Sequence, residues 1–166
     1  MSAVEALYHQ AIKDWAQADH GRGRLAAPGA EVTLDNPLCG DRVQVGVRLE
    51  QGRIVDLAQE TRGCLLCRAA ASLLGQRGPG LDADEVAGVE AALEGLLSAG
   101  MEPPAGWSEL AMFAPAREHP SRHKCALLPF RALRKALAAA EGGKAPGAAE
   151  GDGASPASGK PWSKAK

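Results

Sequence analysis

The chain has 166 residues, 45% hydrophobic, 23% charged and 4% aromatic, and its 19 basic and 20 acidic side chains give a formal net charge of -1. That is the size of one globular domain with a small core built mainly from Leu, Val and Ala, and the even charge balance removes any global drive toward nucleic acid or an anionic membrane. No window approaches the roughly 20 consecutive apolar residues of a membrane-spanning helix, and the N-terminal segment lacks the pattern of a secretory signal. A cytoplasmic protein is expected, in which Cys39, Cys64, Cys67 and Cys125 serve metal or sulfur chemistry rather than structural disulfides.

Leu7, Tyr8, Ile12 and Trp15 recur at helical spacing and predict an amphipathic helix over Glu5 to Ala18, ended by the glycines at 21 and 23. Arg42 to Glu50 alternates Val43, Val45, Val47 and Leu49 with polar residues and glycine, the period of a half-buried strand. Gln51 and Gly52 then turn the chain into a second strand, Arg53 to Gln59, and residues near Val32 to Leu34 supply a third. A helix is expected from Cys64 to Gln76, with Cys64 at its start, and another from Asp82, as N-cap, to about Gly100. Trp107 to Phe113 reads as a short helix, and Ser121 caps a last helix to about Ala140, in which Pro129 frees a carbonyl near Cys125 or kinks the axis. The Gly-, Ala-, Ser- and Pro-rich residues 141–166 read as a disordered tail behind a domain spanning 1–140. The whole is an α+β arrangement, a small three-stranded antiparallel sheet packed against about five helices.

Three constellations carry chemistry. NPLCGD, residues 36–41, places a thiol and a carboxylate two positions apart, so Cys39 and Asp41 can meet one metal ion; the competing reading is a buried thiol and a turn-forming Asp. RGCLLC, residues 62–67, sets Cys64 at a helix start, where free amides favour thiolate. Cys67 lies on nearly the same face, as a redox partner, an additional metal donor or a packed small residue. HPSRHKCALLPFRAL, residues 119–133, sets Cys125 beside Arg122, His123 and Lys124, cations expected to lower its pKa, with His123 a possible ligand or a solvent-facing side chain. Cys39, Asp41, Cys64 and Cys125 supply the four donors of a closed tetrahedral site, leaving Cys67 spare. A thioredoxin-like reductase built on Cys64 and Cys67 is disfavoured, because no alternating strand and helix pattern surrounds them.

These motifs, in this order, resemble the U-type iron–sulfur cluster assembly family of IscU, SufU and the N-terminal domain of NifU. NPLCGD with VQVGVRLEQGRIVD is similar to the family's first cysteine loop and hairpin, RGCLLCRAAASLL to its GCxxSxASAS helix start, and PSRHKCALLPFRAL to its PxRxxCAxLxWxAL ending. Cys67 stands where the family usually has Ser. The long interval between Cys64 and Cys125, and Lys124 in place of the IscU histidine, make the chain most similar to SufU. The resemblance implies zinc held by Cys39, Asp41, Cys64 and Cys125, and acceptance of persulfide sulfur from a SufS-like cysteine desulfurase, with Cys125 or Cys64 as the acceptor. That is a zinc-dependent sulfurtransferase. The alternatives are a non-enzymatic scaffold that assembles a 2Fe–2S cluster on Cys39, Cys64 and Cys125 for apo-protein or cluster-carrier acceptors, and a structural zinc-binding interaction module.

Overall fold

A computed structural model describes residues 3–142, which form helix α1 (Ala3–Ala18), strands β1 (Ala30–Asn36), β2 (Asp41–Glu50) and β3 (Arg53–Arg62), helices α2 (Leu65–Arg77) and α3 (Ala83–Ala99), a 3₁₀ helix (Ser108–Glu118) and helix α4 (Pro120–Gly142). From residue 143 on, the expected tail lies outside the described residues. The three strands form one antiparallel sheet in the order β1-β2-β3, the α+β arrangement read from the sequence.

Alternation sets the sheet's two faces. Val43, Val45 and Val47 on β2 are buried, and α4 crosses this strand and β1 while α2 packs on β3. The opposite face carries ion pairs, Arg42 to Asp35 at 2.6 Å and Arg48 to Asp56 at 2.7 Å, with partly exposed side chains. Gln51 and Gly52 turn the hairpin with φ of 54° and 78°, the positive pair that a tight two-residue connection requires.

Helix α2 is central, and its composition shows it. Cys67, Ala69, Ala70, Ala71, Ser72, Leu73 and Leu74 are all buried, so the helix is wrapped by neighbours rather than lying at the surface. Small residues permit that close packing: a Cβ on Gly75 would collide with the His20 carbonyl, and the Ser72 hydroxyl accepts the His20 N–H at 2.9 Å. The buried Gln59 donates to the Asp19 carboxylate and the His20 carbonyl, each at 2.9 Å, closing the same junction from β3.

Helix α3 opens on the expected Asp82 N-cap, a reciprocal capping box with Glu85, and ends at left-handed Gly100. The Glu90 carboxylate, nearly buried, reaches Arg134 of α4 at 2.5 Å and Arg131 at 3.6 Å. Two local expectations change. The short helix near Trp107 is a longer 3₁₀ run, anchored by Arg77, which lies 4.1 Å over the Trp107 ring and pairs with Glu109. Helix α4 starts at Pro120 rather than at a Ser121 cap, because proline suits a first turn whose N–H has no acceptor. Pro129 lies inside an unbroken helix; lacking an N–H, it leaves the Cys125 carbonyl without its usual partner one turn on.

Candidate metal and sulfur site

Four chain segments meet at one end of the sheet. After β1, the Asn36 side chain accepts the Leu38 N–H at 3.2 Å and its carbonyl accepts that of Gly40 at 2.8 Å, a tight turn that lifts Cys39 to the surface. Asp41, the first residue of β2, is 1% exposed, its carboxylate lying beneath Cys39. Cys64 is the N-cap of α2, in extended backbone. Cys125, in the second turn of α4, is buried.

The Asp41 carboxylate organises the group. Its Oδ1 accepts the Cys64 backbone N–H at 3.0 Å, and its Oδ2 lies 3.1 Å from the Cys39 sulfur and 3.7 Å from the Cys64 sulfur. The Cys39 and Cys125 sulfurs are 3.3 Å apart. Among the described residues, one ligand atom each of Cys39, Asp41 and Cys125 lies within 4.8 Å of the others. With zinc–sulfur bonds of about 2.3 Å, tetrahedral donors are separated by roughly 3.3–3.8 Å, so the spacing and the thiol-plus-carboxylate set suit zinc. Cys64 borders this trio through Asp41.

Gly63 makes the arrangement possible, and local sequence gave little sign of it. Its φ is 154°, and a Cβ there would overlap the Asp41 carboxylate, so glycine lets the carboxylate lie against the α2 start.

Electrostatics overturn one expectation. Burial pushes the Cys125 thiol well above its ordinary pKa, reinforced by hydrogen bonding to Cys39 and Asp41 and by the fields of Cys64 and Asp41. Arg122 and Lys124 do not offset this, because both are exposed to water while Cys125 faces inward. His123 turns to the Arg117 carbonyl, 3.0 Å from its Nε2, rather than to the thiol group. Cys67 is fully buried and joins the apolar core. Burial raises its pKa, and the charges of Asp41, Cys64 and Cys39 add to the effect, so it lies within the field of the site although outside the trio. Leu38, 85% exposed, and Leu65, 37% exposed, are the sequence neighbours of Cys39 and Cys64.

Fold and site together define an α+β protein that presents cysteine sulfurs and a buried carboxylate at the end of a three-stranded sheet. The chain belongs to the family of the NifU-like N terminal domain, which matches residues 7–105. Cys125 lies beyond that stretch, so its association with the site rests on geometry. The chain is 28% identical over 139 residues to the iron–sulfur cluster assembly scaffold protein IscU of Streptococcus pyogenes serotype M1, covering 82% of this chain and 86% of that one. It is 27% identical over 141 residues to the zinc-dependent sulfurtransferase SufU of Bacillus subtilis (strain 168), covering 84% and 95%. The crystal structure of a nitrogen-fixing NifU-like protein (N-terminal) from Brucella abortus superposes with a TM-score of 0.78 at 29% identity, covering 84% of this chain and 98% of that one. The family read from the three cysteine motifs is therefore the right one: iron–sulfur cluster assembly scaffolds of the U type.

Proposed function

We propose that the protein is a zinc-dependent acceptor of persulfide sulfur, working with a cysteine desulfurase in the cytoplasm. The observation that carries this reading is the mixed donor set, with Cys39, Asp41 and Cys125 within 4.8 Å of one another and Cys64 beside Asp41. Zinc accepts both thiolate and carboxylate donors, whereas clusters are more often held by thiolates alone. Cys39, Asp41, Cys64 and Cys125 would hold the metal, which when bound keeps its thiolates deprotonated.

The chain's own part is to present a thiol. Cys39 is exposed and Cys64 partly so, while Cys125 is buried; of the two acceptors expected from the sequence, Cys64 is the more approachable. Leu38 and Leu65, the sequence neighbours of Cys39 and Cys64, offer apolar surface where a desulfurase bearing a persulfide would dock. Transfer is thiol exchange: the acceptor thiolate attacks the terminal sulfur, and the donor cysteine leaves as thiolate.

A second reading, scaffolding of a 2Fe–2S cluster as cargo for apo-protein acceptors, draws on the additional buried thiol of Cys67 beside the site. Anaerobic purification, metal and sulfide analysis, and desulfurase turnover separate the two. One zinc per chain, no visible absorption and stimulated turnover are expected. Iron with labile sulfide and a brown colour would replace the first reading with the second. A structural zinc module would bind zinc without changing turnover.

A further inference from the structure

The function above leaves one element of the sequence unused. Cys67 is fully buried and its thiol makes no side-chain hydrogen bond among the described residues, yet it lies within the electrostatic reach of Asp41, Cys64 and Cys39. Its position relative to Cys64 is defined by the helix. Cys64 is the N-cap of α2, in extended backbone and with no side-chain cap bond, and Cys67 is the third helical residue. These are the two positions whose side chains reach back toward each other's backbone at a helix start. The same chain shows this at α3, where Asp82 accepts the Glu85 N–H at 2.8 Å and Glu85 accepts the Asp82 N–H at 3.0 Å. Two cysteines in this relationship fall within the Cα separation that a disulfide spans.

We infer that Cys67 is a resolving thiol, which reduces a persulfide carried on Cys64 to free sulfide. This rests on the sulfur-accepting reading and adds to it a source of electrons. The Cys67 sulfur attacks the Cys64 sulfur of the Cys64 persulfide; a Cys64–Cys67 bond forms and the sulfur–sulfur bond of the persulfide breaks. The departing sulfur leaves as hydrogen sulfide, taking the proton of Cys67 and one from the medium if the persulfide was ionised. Cys67 is oxidised and the outer sulfur is reduced from the persulfide to the sulfide level, so no outside reductant enters this step. A dithiol reductant then reopens the disulfide. Burial shields Cys67 from the donor, so it does not compete as the first acceptor, and its proton passes to the outer sulfur of the Cys64 persulfide as it attacks. Cys39 and Cys125 have each other at 3.3 Å and form a separate pair.

The test uses the full chain, loaded anaerobically with glutathione persulfide, desalted, and followed for free sulfide and for the mass of the tryptic peptide spanning residues 63–68. In the unaltered protein, sulfide appears and the peptide becomes lighter by two hydrogens and resistant to alkylation. In Cys67→Ser and Cys67→Ala, whose folding is checked by circular dichroism, the peptide stays one sulfur heavier and sulfide release falls at least about tenfold. Equal sulfide release from the variants, or a persulfide retained equally in all three proteins, overturns the inference and leaves the acceptor reading standing. A peptide that never gains sulfur in any of them, with sulfur on no other cysteine, overturns both.

Discussion

The backbone N–H of Cys64 donates to Oδ1 of Asp41 at 3.0 Å, while Oδ2 of the same carboxylate faces the Cys39 thiol at 3.1 Å. One buried side chain thereby ties the start of α2 to the loop before β2. Asp41→Asn keeps an oxygen for the Cys64 amide but loses the charge; Asp41→Ala loses both. Zinc affinity, measured by competition with a chromogenic chelator, is expected to fall more than about 100-fold in either variant, because a ligand is lost rather than a supporting contact. The metal-free Ala variant should also lose about 1 kcal/mol in urea unfolding, the cost of stranding the part-buried Cys64 amide. Unchanged affinity in both variants would remove Asp41 from the ligand set.

Gly63 precedes this contact with a φ of 154° and no space for a Cβ. Gly63→Ala must strain the backbone or displace the carboxylate, at an expected cost of about 1–3 kcal/mol. Metal affinity should drop with stability, whereas Gly88→Ala on the exposed side of α3, where an added Cβ meets nothing within 4 Å and φ is not positive, should lower neither. Equilibrium unfolding with and without zinc reads both effects.

Cys67 has its pKa raised by burial and by the Asp41, Cys64 and Cys39 charges, so the folded chain holds its proton at pH values where an unfolded thiol has lost it. The unfolded state then binds fewer protons, and stability falls as pH rises. For metal-free protein the contribution of Cys67 is intact below about pH 8.5 and declines above it by at most about 1.4 kcal/mol per pH unit. Chelated protein should therefore show a falling melting temperature from pH 8.5 upward, with a shallower slope in Cys67→Ala. A parallel slope in that variant would show that other groups cause the decline.

Glu90 links α3 to Arg134 and Arg131 of α4, well away from the thiols in sequence. Since Arg134 is 53% exposed and can return to water, Glu90→Gln should cost only about 1–2 kcal/mol. Zinc binding should not change, which makes the variant a stability control for the site substitutions.

Periodicity was sufficient for much of the fold. The alternation of Val43, Val45 and Val47 defined a strand, Asp82 as N-cap defined the start of α3, and the Gln51–Gly52 pair defined the hairpin turn, since each depends on neighbours a few residues away. The 3₁₀ run of Ser108–Glu118 was less legible, because packing of Arg77 on Trp107 and Glu109 holds it and that partner comes from a distant helix.

The site divides in the same way. Residue type and motif order alone selected Cys39, Asp41, Cys64 and Cys125, because few side chains can ligate a soft metal or carry sulfur. Tertiary structure decided how they relate: Asp41 is buried beneath Gly63, Cys125 is turned from the cations beside it in sequence, and Cys67 is sealed in the core one helical turn from Cys64. Burial and through-space charge set the reactivity of a thiol, and both are sums over neighbours that the chain brings together only when it folds.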